Sequence, residues 1–209
     1  MRLVLLGAPA SGKGTQGDIL AQRLGIPKIS TGDMLRAARK AGTPLGKEAD
    51  GYMSAGKLVP DQVVIGLVAE RITEADAAKG FILDGFPRTV PQAEALGAML
   101  TEKGLKLDCV VEIGVPRELL TERATLRRTD KRTGQIYHLK YSPPPPDAEL
   151  EHRADDQEAT VLKRLDEYDA LTAALTPYYE KLGLLRRVDG VGKPAEVTQR
   201  ILSALEKDQ

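Results

Sequence analysis

The segment Gly7-Ala8-Pro9-Ala10-Ser11-Gly12-Lys13-Gly14-Thr15 has the residue types needed to hold a chain of phosphates. Glycines let backbone N–H groups turn inward around an anion, a following helix N-terminus adds positive potential, and Lys13 reaches the outer phosphates. That chemistry requires a loop leaving a strand and entering a helix. The apolar run at 2–6 precedes the loop, and Ile19, Leu20 and Leu24 follow it at helical spacing. One feature departs from the general phosphate-loop pattern, which places Ser or Thr directly after Gly-Lys to touch magnesium. Here Gly14 takes that place and Thr15 comes one position later, a Gly-Lys-Gly-Thr variant that narrows the loop to one subfamily.

The elements around the loop follow from hydrophobic spacing. Short apolar runs alternate with helix-period segments, and the candidate strands are 2–6, 28–29, 81–84, 109–113 and 185–188. The pattern predicts an α/β chain, a parallel sheet with helices on both faces. Val161, Leu165, Tyr168, Leu171, Leu175 and Tyr178 recur every three or four residues and predict one apolar helix face. Pro60-Asp61 opens another helix, with Val64, Leu67, Val68 and Ile72 on one side. Two stretches break the alternation. Residues 30–59 are polar and helical with spaced glycines, and 126–157 carry charge, a Thr133-Gly134 turn and four consecutive prolines at 143–146. A proline run cannot be a central strand or a helix interior, so it predicts a stiff surface loop. Both stretches are expected as insertions on a core of 1–29, 60–125 and 158–209.

Composition excludes some classes. Of 209 residues, 30 are basic and 30 acidic, so no overall field recruits nucleic acid or membrane. Anion binding must come from local clustering of Lys and Arg. The single cysteine, Cys109, lies in an apolar run and reads as a small buried residue, which fits a reducing cytoplasm. The apolar run at 3–6 is too short for a secretory signal, and no stretch reaches the ~18 apolar residues of a membrane span.

The sequence resembles the adenylate kinases over nearly its whole length. Besides the loop, the resemblance rests on Ser30-Thr31-Gly32-Asp33-Met34-Leu35-Arg36, Gly56-Lys57-Leu58-Val59-Pro60-Asp61 and Phe81-Ile82-Leu83-Asp84-Gly85-Phe86-Pro87-Arg88-Thr89 with Gln92. Arg123, Arg127-Arg128, Arg153 with Asp155-Asp156-Gln157-Glu158, Arg164, and Val188-Asp189-Gly190 with Lys193 complete it. The resemblance implies a P-loop NTPase core, an AMP-binding insertion at 30–59 and a lid at 126–157. It implies reversible transfer of a phosphoryl group, ATP + AMP giving two ADP, by a cytoplasmic monomer that uses magnesium and has nucleotides as its partners.

The resemblance also assigns roles. Gly7, Ala8, Pro9, Ala10, Ser11, Gly12, Lys13, Gly14 and Thr15 would hold ATP phosphates, with Arg123, Arg127, Tyr137 and Lys193 completing the ATP site. Thr31, Arg36, Lys57, Leu58, Val59, Gly85, Phe86, Arg88, Gln92, Arg153 and Arg164 would hold AMP. Lys13, Arg88, Arg123, Arg153 and Arg164 would stabilise the transition state, because a planar guanidinium grips phosphate oxygens bidentately. Arg128 is an alternative to Arg127 for facing the phosphates. Asp84 would order magnesium through water, or else bond to the phosphate loop; Asp33 is either a second metal candidate or part of a helix start with Ser30 and Thr31. Thr31 and Gln92 would favour adenine over pyrimidine.

Two departures stand out. Ala10 occupies a position where the family usually has Gly, so the loop there either keeps φ negative or accepts strain. The lid lacks the cysteines with which many bacterial relatives bind zinc, so no structural zinc is expected, and its second half is short and proline-rich. GTP as donor, UMP or CMP as acceptor, and a nucleotide-sensing module without turnover remain the competing readings.

Overall fold

Leu3, Val4, Leu5 and Leu6 form the centre of β1 (Arg2–Leu6), and all four are buried. Their run is apolar without alternation because both sheet faces are covered. Val4 and Leu6 pack into one cluster with Ile29, Phe81, Leu83 and Val110, while Leu3 and Leu5 join Leu20, Ile82, Cys109, Val111 and Ile201 on the opposite face. Each such side chain contributes roughly 1.5–3 kcal/mol on burial. The computed structural model describes residues 1–206. Among them a five-stranded parallel sheet runs in the order β2 (Lys28–Ser30), β3 (Phe81–Asp84), β1, β4 (Cys109–Gly114), β8 (Leu185–Asp189). All five lie at the candidate strands read from the sequence.

With β3 on one side of β1 and β4 on the other, the strand order reverses at β1. In open parallel sheets the crevice beyond the carboxyl ends at such a reversal receives the ligand. The phosphate loop leaves β1 there and enters α1 (Lys13–Leu24). Two helices, α2 (Thr31–Lys40) and α3 (Pro44–Ser54), pack on each other after β2 and lead into α4 (Asp61–Arg71). Ser30 caps α2, its hydroxyl accepting the Asp33 N–H. On α4 Val64 and Val68 are buried and Leu67 packs partly buried beside them, with Ile72 buried just past the helix end, as their spacing predicts. The chain continues through α5 (Val90–Glu102) and α6 (Arg117–Thr125).

A separate antiparallel sheet then forms from β5 (Arg127–Asp130), β6 (Ile136–His138) and β7 (Leu150–Glu151). It is held by polar contacts: buried Asp130 accepts the Arg132 N–H at 2.8 Å, and the His138 ring nitrogen Nδ1 accepts the Lys140 and Tyr141 N–H groups. The four prolines form irregular surface chain between β6 and β7. The polypeptide returns through α7 (Glu158–Glu167), α8 (Leu175–Lys181), β8 and α9 (Pro194–Glu206). Among the described residues no helix is long and apolar enough to cross a membrane.

The structure corrects one expectation. The apolar face predicted for 161–178 is not one continuous helix face, because a π-helical turn at Tyr168–Thr172 separates α7 from α8. The wider turn shifts the register by a residue. Val161, Leu165, Thr172, Leu175 and Tyr179 are buried, whereas Leu171 is 43% exposed.

Candidate active site

The phosphate loop closes on its own lysine. Lys13 Nζ donates to the carbonyls of Gly7 at 2.6 Å and Ala8 at 2.9 Å. Ser11 N donates to Ala8 O, and Gln16 N donates to Gly12 O as the helix begins. Ala10 takes φ +64°, so the loop adopts the strained alternative at this position. A left-handed non-glycine residue costs about 1–2 kcal/mol. The Ala10 methyl recovers part of that by packing against the Leu120, Ala124, Val161 and Leu165 cluster. Ala10→Gly therefore shifts the melting temperature by less than about 3 °C, as strain relief offsets the lost methyl and the freer unfolded chain. Calorimetric melting checks it; a larger drop would mean that methyl packing outweighs the strain.

A cavity runs from this loop to the second half of the site. Gly7, Pro9, Lys13, Thr31, Arg36, Lys57, Leu58, Val59, Gly85, Arg88, Gln92 and Arg164 all contribute to its lining. Gly85, at φ +78°, is the pivot: its carbonyl accepts Thr31 Oγ1 at 2.9 Å and Arg88 Nε at 2.9 Å. A Cβ at that position would stand 3.1 Å from both Thr31 Oγ1 and Arg88 Nη2. Thr31 spends its hydroxyl proton on Gly85 and can only accept from a ligand. Phe86 is fully buried in the core cluster and does not line the cavity, its neighbours Gly85 and Pro87 doing so instead.

Cations converge around this space. Arg164 Nη1 lies 3.0 Å from Asp155, and Arg36 reaches the same carboxylate at 3.9 Å. Arg127 donates through Nε and Nη2 to both oxygens of the fully buried Asp156, while Arg128 turns back to the carbonyls of Thr125 and Arg127. Arg153 Nε donates to Thr129 Oγ1, and burial together with Arg36 and Arg127 lowers its pKa to about 10. Burial does the same to Arg164, with Arg127 and Arg88 adding repulsion and Asp155 opposing it. Lys13 falls to about 8, again through burial, with Asp84 pulling the other way. Arg88 is lowered by burial too. Asp155 is held below the usual carboxylate range because Arg164, Arg36, Arg127 and Arg153 outweigh its burial. Seven cations (Lys13, Arg36, Lys57, Arg88, Arg127, Arg153 and Arg164) against five carboxylates (Asp33, Asp84, Asp155, Asp156 and Glu167) leave an excess of positive charge that suits an anionic ligand.

This has a measurable consequence. In the free protein Lys13 loses its proton near pH 8, below its ordinary 10.5. A bound triphosphate favours the charged ammonium and raises that pKa again. Binding ATP at pH 9 therefore takes up close to one proton, and at pH 7, where Lys13 is already charged, uptake falls toward zero. Titration calorimetry in two buffers of different ionisation enthalpy reads the difference; equal uptake at both pH values would show that Lys13 is not the group.

The other predicted residues group elsewhere. Arg123 Nη2 donates to Gly190 O at 3.2 Å, which brings it to the loop that carries Lys193. Tyr137 stands in β6 opposite Arg128. Its neighbour Ile136 lies over the phosphate loop, with Cδ1 3.8 Å from where a Cβ of Gly14 would be. Strand alternation puts Tyr137 on the other face. Asp84 approaches Gly14 from below, its Oδ2 3.7 Å from that same point. Asp33 pairs with Arg36 at 2.6 Å in the first turn of α2. Sequence reasoning missed Glu167, Tyr168 and Thr172, which also line the cavity. Glu167 Oε1 accepts the Leu58 N–H at 3.3 Å and so ties α7 to the chain between α3 and α4. The signal for Glu167 was its position three residues after Arg164; the π-helical turn that aims Tyr168 and Thr172 left no trace in the spacing.

The family model described as adenylate kinase matches residues 5–184. The chain is similar to a protein named adenylate kinase from Sorangium cellulosum (strain So ce56), 60% identical over 208 residues that cover 98% of this chain and 96% of that protein. It is 53% identical to the adenylate kinase of Moorella thermoacetica, over 100% of this chain and 99% of the relative. With that of Thermodesulfovibrio yellowstonii it shares 52% identity, over 99% of this chain and all of the relative.

Proposed function

The chain belongs to the adenylate kinase family, and from that premise we propose that MgATP and AMP meet in the cavity with their phosphates on Lys13, Arg88 and Arg164. The enzyme is a phosphotransferase that interconverts ATP + AMP and two ADP. The observation that carries the site assignment is the buried excess of cations at the junction of phosphate loop, helical insertion and lid. Transfer between two polyanions needs charge neutralisation and alignment more than proton chemistry, since the attacking phosphate oxygen is already deprotonated near neutral pH. The cavity lining contains neither His nor Cys, so it offers no imidazole or thiolate to carry the phosphoryl group.

In this reading the insertion at 30–59 takes AMP, the lid at 126–157 closes over ATP, and the remaining residues form the core. Arg36 and Arg88 grip the AMP phosphate. Arg123, Arg127 and Arg153 surround the ATP phosphates with the loop, and Arg164 stands between the two. Lid strand β6 excludes water from above Gly14. Lys193 and the Gly190 loop border the donor base beside Arg123. Thr31, as an acceptor only, suits the exocyclic amine of adenine, and Gln92 matches an amide to the adenine edge.

Magnesium fits the residues present. No group of three metal-ligating side chains occurs among the described residues. Magnesium asks for less: it keeps several waters and uses one or two carboxylates together with substrate phosphates. Asp84, against the phosphate loop and electrostatically coupled to Lys13, would hold it through water. When bound, the ion neutralises charge developing on the phosphate oxygens. The reading takes the enzyme as a cytoplasmic monomer; Cys109 is buried in β4 with its thiol pushed up by burial, which suits a reducing compartment.

Steady-state assays with MgATP and AMP, GMP, UMP or CMP as acceptor test the site assignment. Magnesium-dependent turnover with AMP far above the other acceptors is expected. Preference for UMP or CMP would overturn the roles of Thr31 and Gln92.

A further inference from the structure

Asp61 does not line the cavity, yet it holds the side chain that faces the acceptor base. Gln92 is 1% exposed, and both ends of its amide are committed to protein groups. Gln92 Nε2 donates to Asp61 Oδ1 at 2.7 Å. Gln92 Oε1 accepts the backbone N–H of Arg88 at 2.7 Å. Asp61 is itself fixed: its Oδ2 accepts Thr89 Oγ1 at 2.9 Å, and Thr89 caps α5 by accepting the Gln92 N–H.

A glutamine amide carries two N–H donors and two lone pairs on oxygen. One donor is spent on Asp61 and one lone pair on Arg88. The amide keeps one N–H and one lone pair for the cavity, in a fixed left–right order. A 6-amino purine presents an N6–H donor beside the N1 acceptor. A 6-oxo purine presents the reverse, an O6 acceptor beside an N1–H donor. Turning the Gln92 amide by 180° would therefore exchange which purine it matches. That turn is blocked, because it sets an NH2 against the Arg88 N–H and an oxygen against the Asp61 carboxylate.

We propose that Asp61 is a positioning residue that locks the Gln92 amide in one orientation and so makes the acceptor site choose 6-amino over 6-oxo purines. The inference rests on the acceptor site described above. An ordinary structural aspartate in the first turn of α4 would support the helix without affecting base choice, and the two roles separate in one experiment.

The experiment compares kcat and KM for AMP and inosine monophosphate, which differ at N1 and C6 alone, in the wild type and in Asp61→Asn. Asparagine is isosteric and can face either orientation of Gln92. The AMP-to-inosine-monophosphate ratio of kcat/KM should fall by about tenfold or more, chiefly through KM, with kcat on AMP kept within about threefold. Because the ratio is taken within one preparation, it does not depend on the fraction folded. Asp61→Ser, which also frees the amide, should move the ratio in the same direction if the Asn variant does not accumulate. An unchanged ratio in a folded variant, or equal losses of kcat with both acceptors, would overturn the proposal. A wild type that does not prefer AMP would overturn the acceptor-site reading instead.

Discussion

Arg164→Ala lowers kcat by about 10³–10⁵ while the protein remains folded, because an arginine that neutralises the moving phosphoryl group supplies roughly 4–7 kcal/mol at the transition state. Arg88→Ala behaves alike. Arg164 acts on stability in two opposing ways. Burial and the neighbouring Arg127 and Arg88 depress its pKa to about 10, so in the free protein its charge is held at a cost that Asp155 only partly offsets. A group whose folded pKa lies below its unfolded value weakens folding at every pH below that value. Removal gives up that cost but also takes from buried Asp155 its 3.0 Å partner, leaving Arg36 at 3.9 Å; the two effects oppose, so the variant stays folded with a melting temperature within about 5 °C of the wild type. Arg164→Lys restores charge without the planar fork and recovers only part of the rate. Steady-state kinetics with melting curves on the three proteins check this; unchanged kcat in folded Arg164→Ala would contradict it.

Lys13→Met lowers kcat by about 10²–10³, the loss expected when one preorganised charged donor is removed from a buried site. The KM for AMP should stay within a few-fold of the wild type, since the acceptor contacts at Thr31, Gly85 and Gln92 do not pass through Lys13. Lys13→Arg should not rescue the variant: the compact ammonium sits 2.6 and 2.9 Å from two loop carbonyls, which leaves no room for a guanidinium. An Arg variant with near-normal turnover would show that charge alone suffices there.

Much of the fold is legible in the sequence because the central strands of a two-faced parallel sheet demand apolar runs, as at 2–6, 81–84 and 109–113, while the edge strands β2 and β8 carry Lys28, Arg186 and Arg187 and read less clearly. Cys109 reads correctly as a buried strand residue for the same reason. The phosphate loop is legible because its chemistry needs glycines and a lysine at fixed spacing between strand and helix. The π-helical turn at 168–172 is not, since it changes register by one residue without a breaker to mark it. Nor does spacing reveal that Asp155 and Asp156 are buried among arginines, or that Glu167 reaches across to the Leu58 amide. Those contacts join segments that local spacing does not relate: Arg127 meets Asp156 across the lid, Arg164 of α7 turns back to Asp155, and Glu167 of α7 reaches the helical insertion. Ala10 marks the boundary between the two cases. Its identity poses the question of strain, and only the backbone, at φ +64°, answers it.

Direct transfer between two bound nucleotides is the central claim, and following the label of γ-³²P-ATP through turnover with AMP tests it most directly. All label should pass into the β-phosphate of the new ADP, with two ADP formed per ATP consumed and none of the label on the protein. Label trapped on the protein, or released as inorganic phosphate in step with ATP loss, would contradict it.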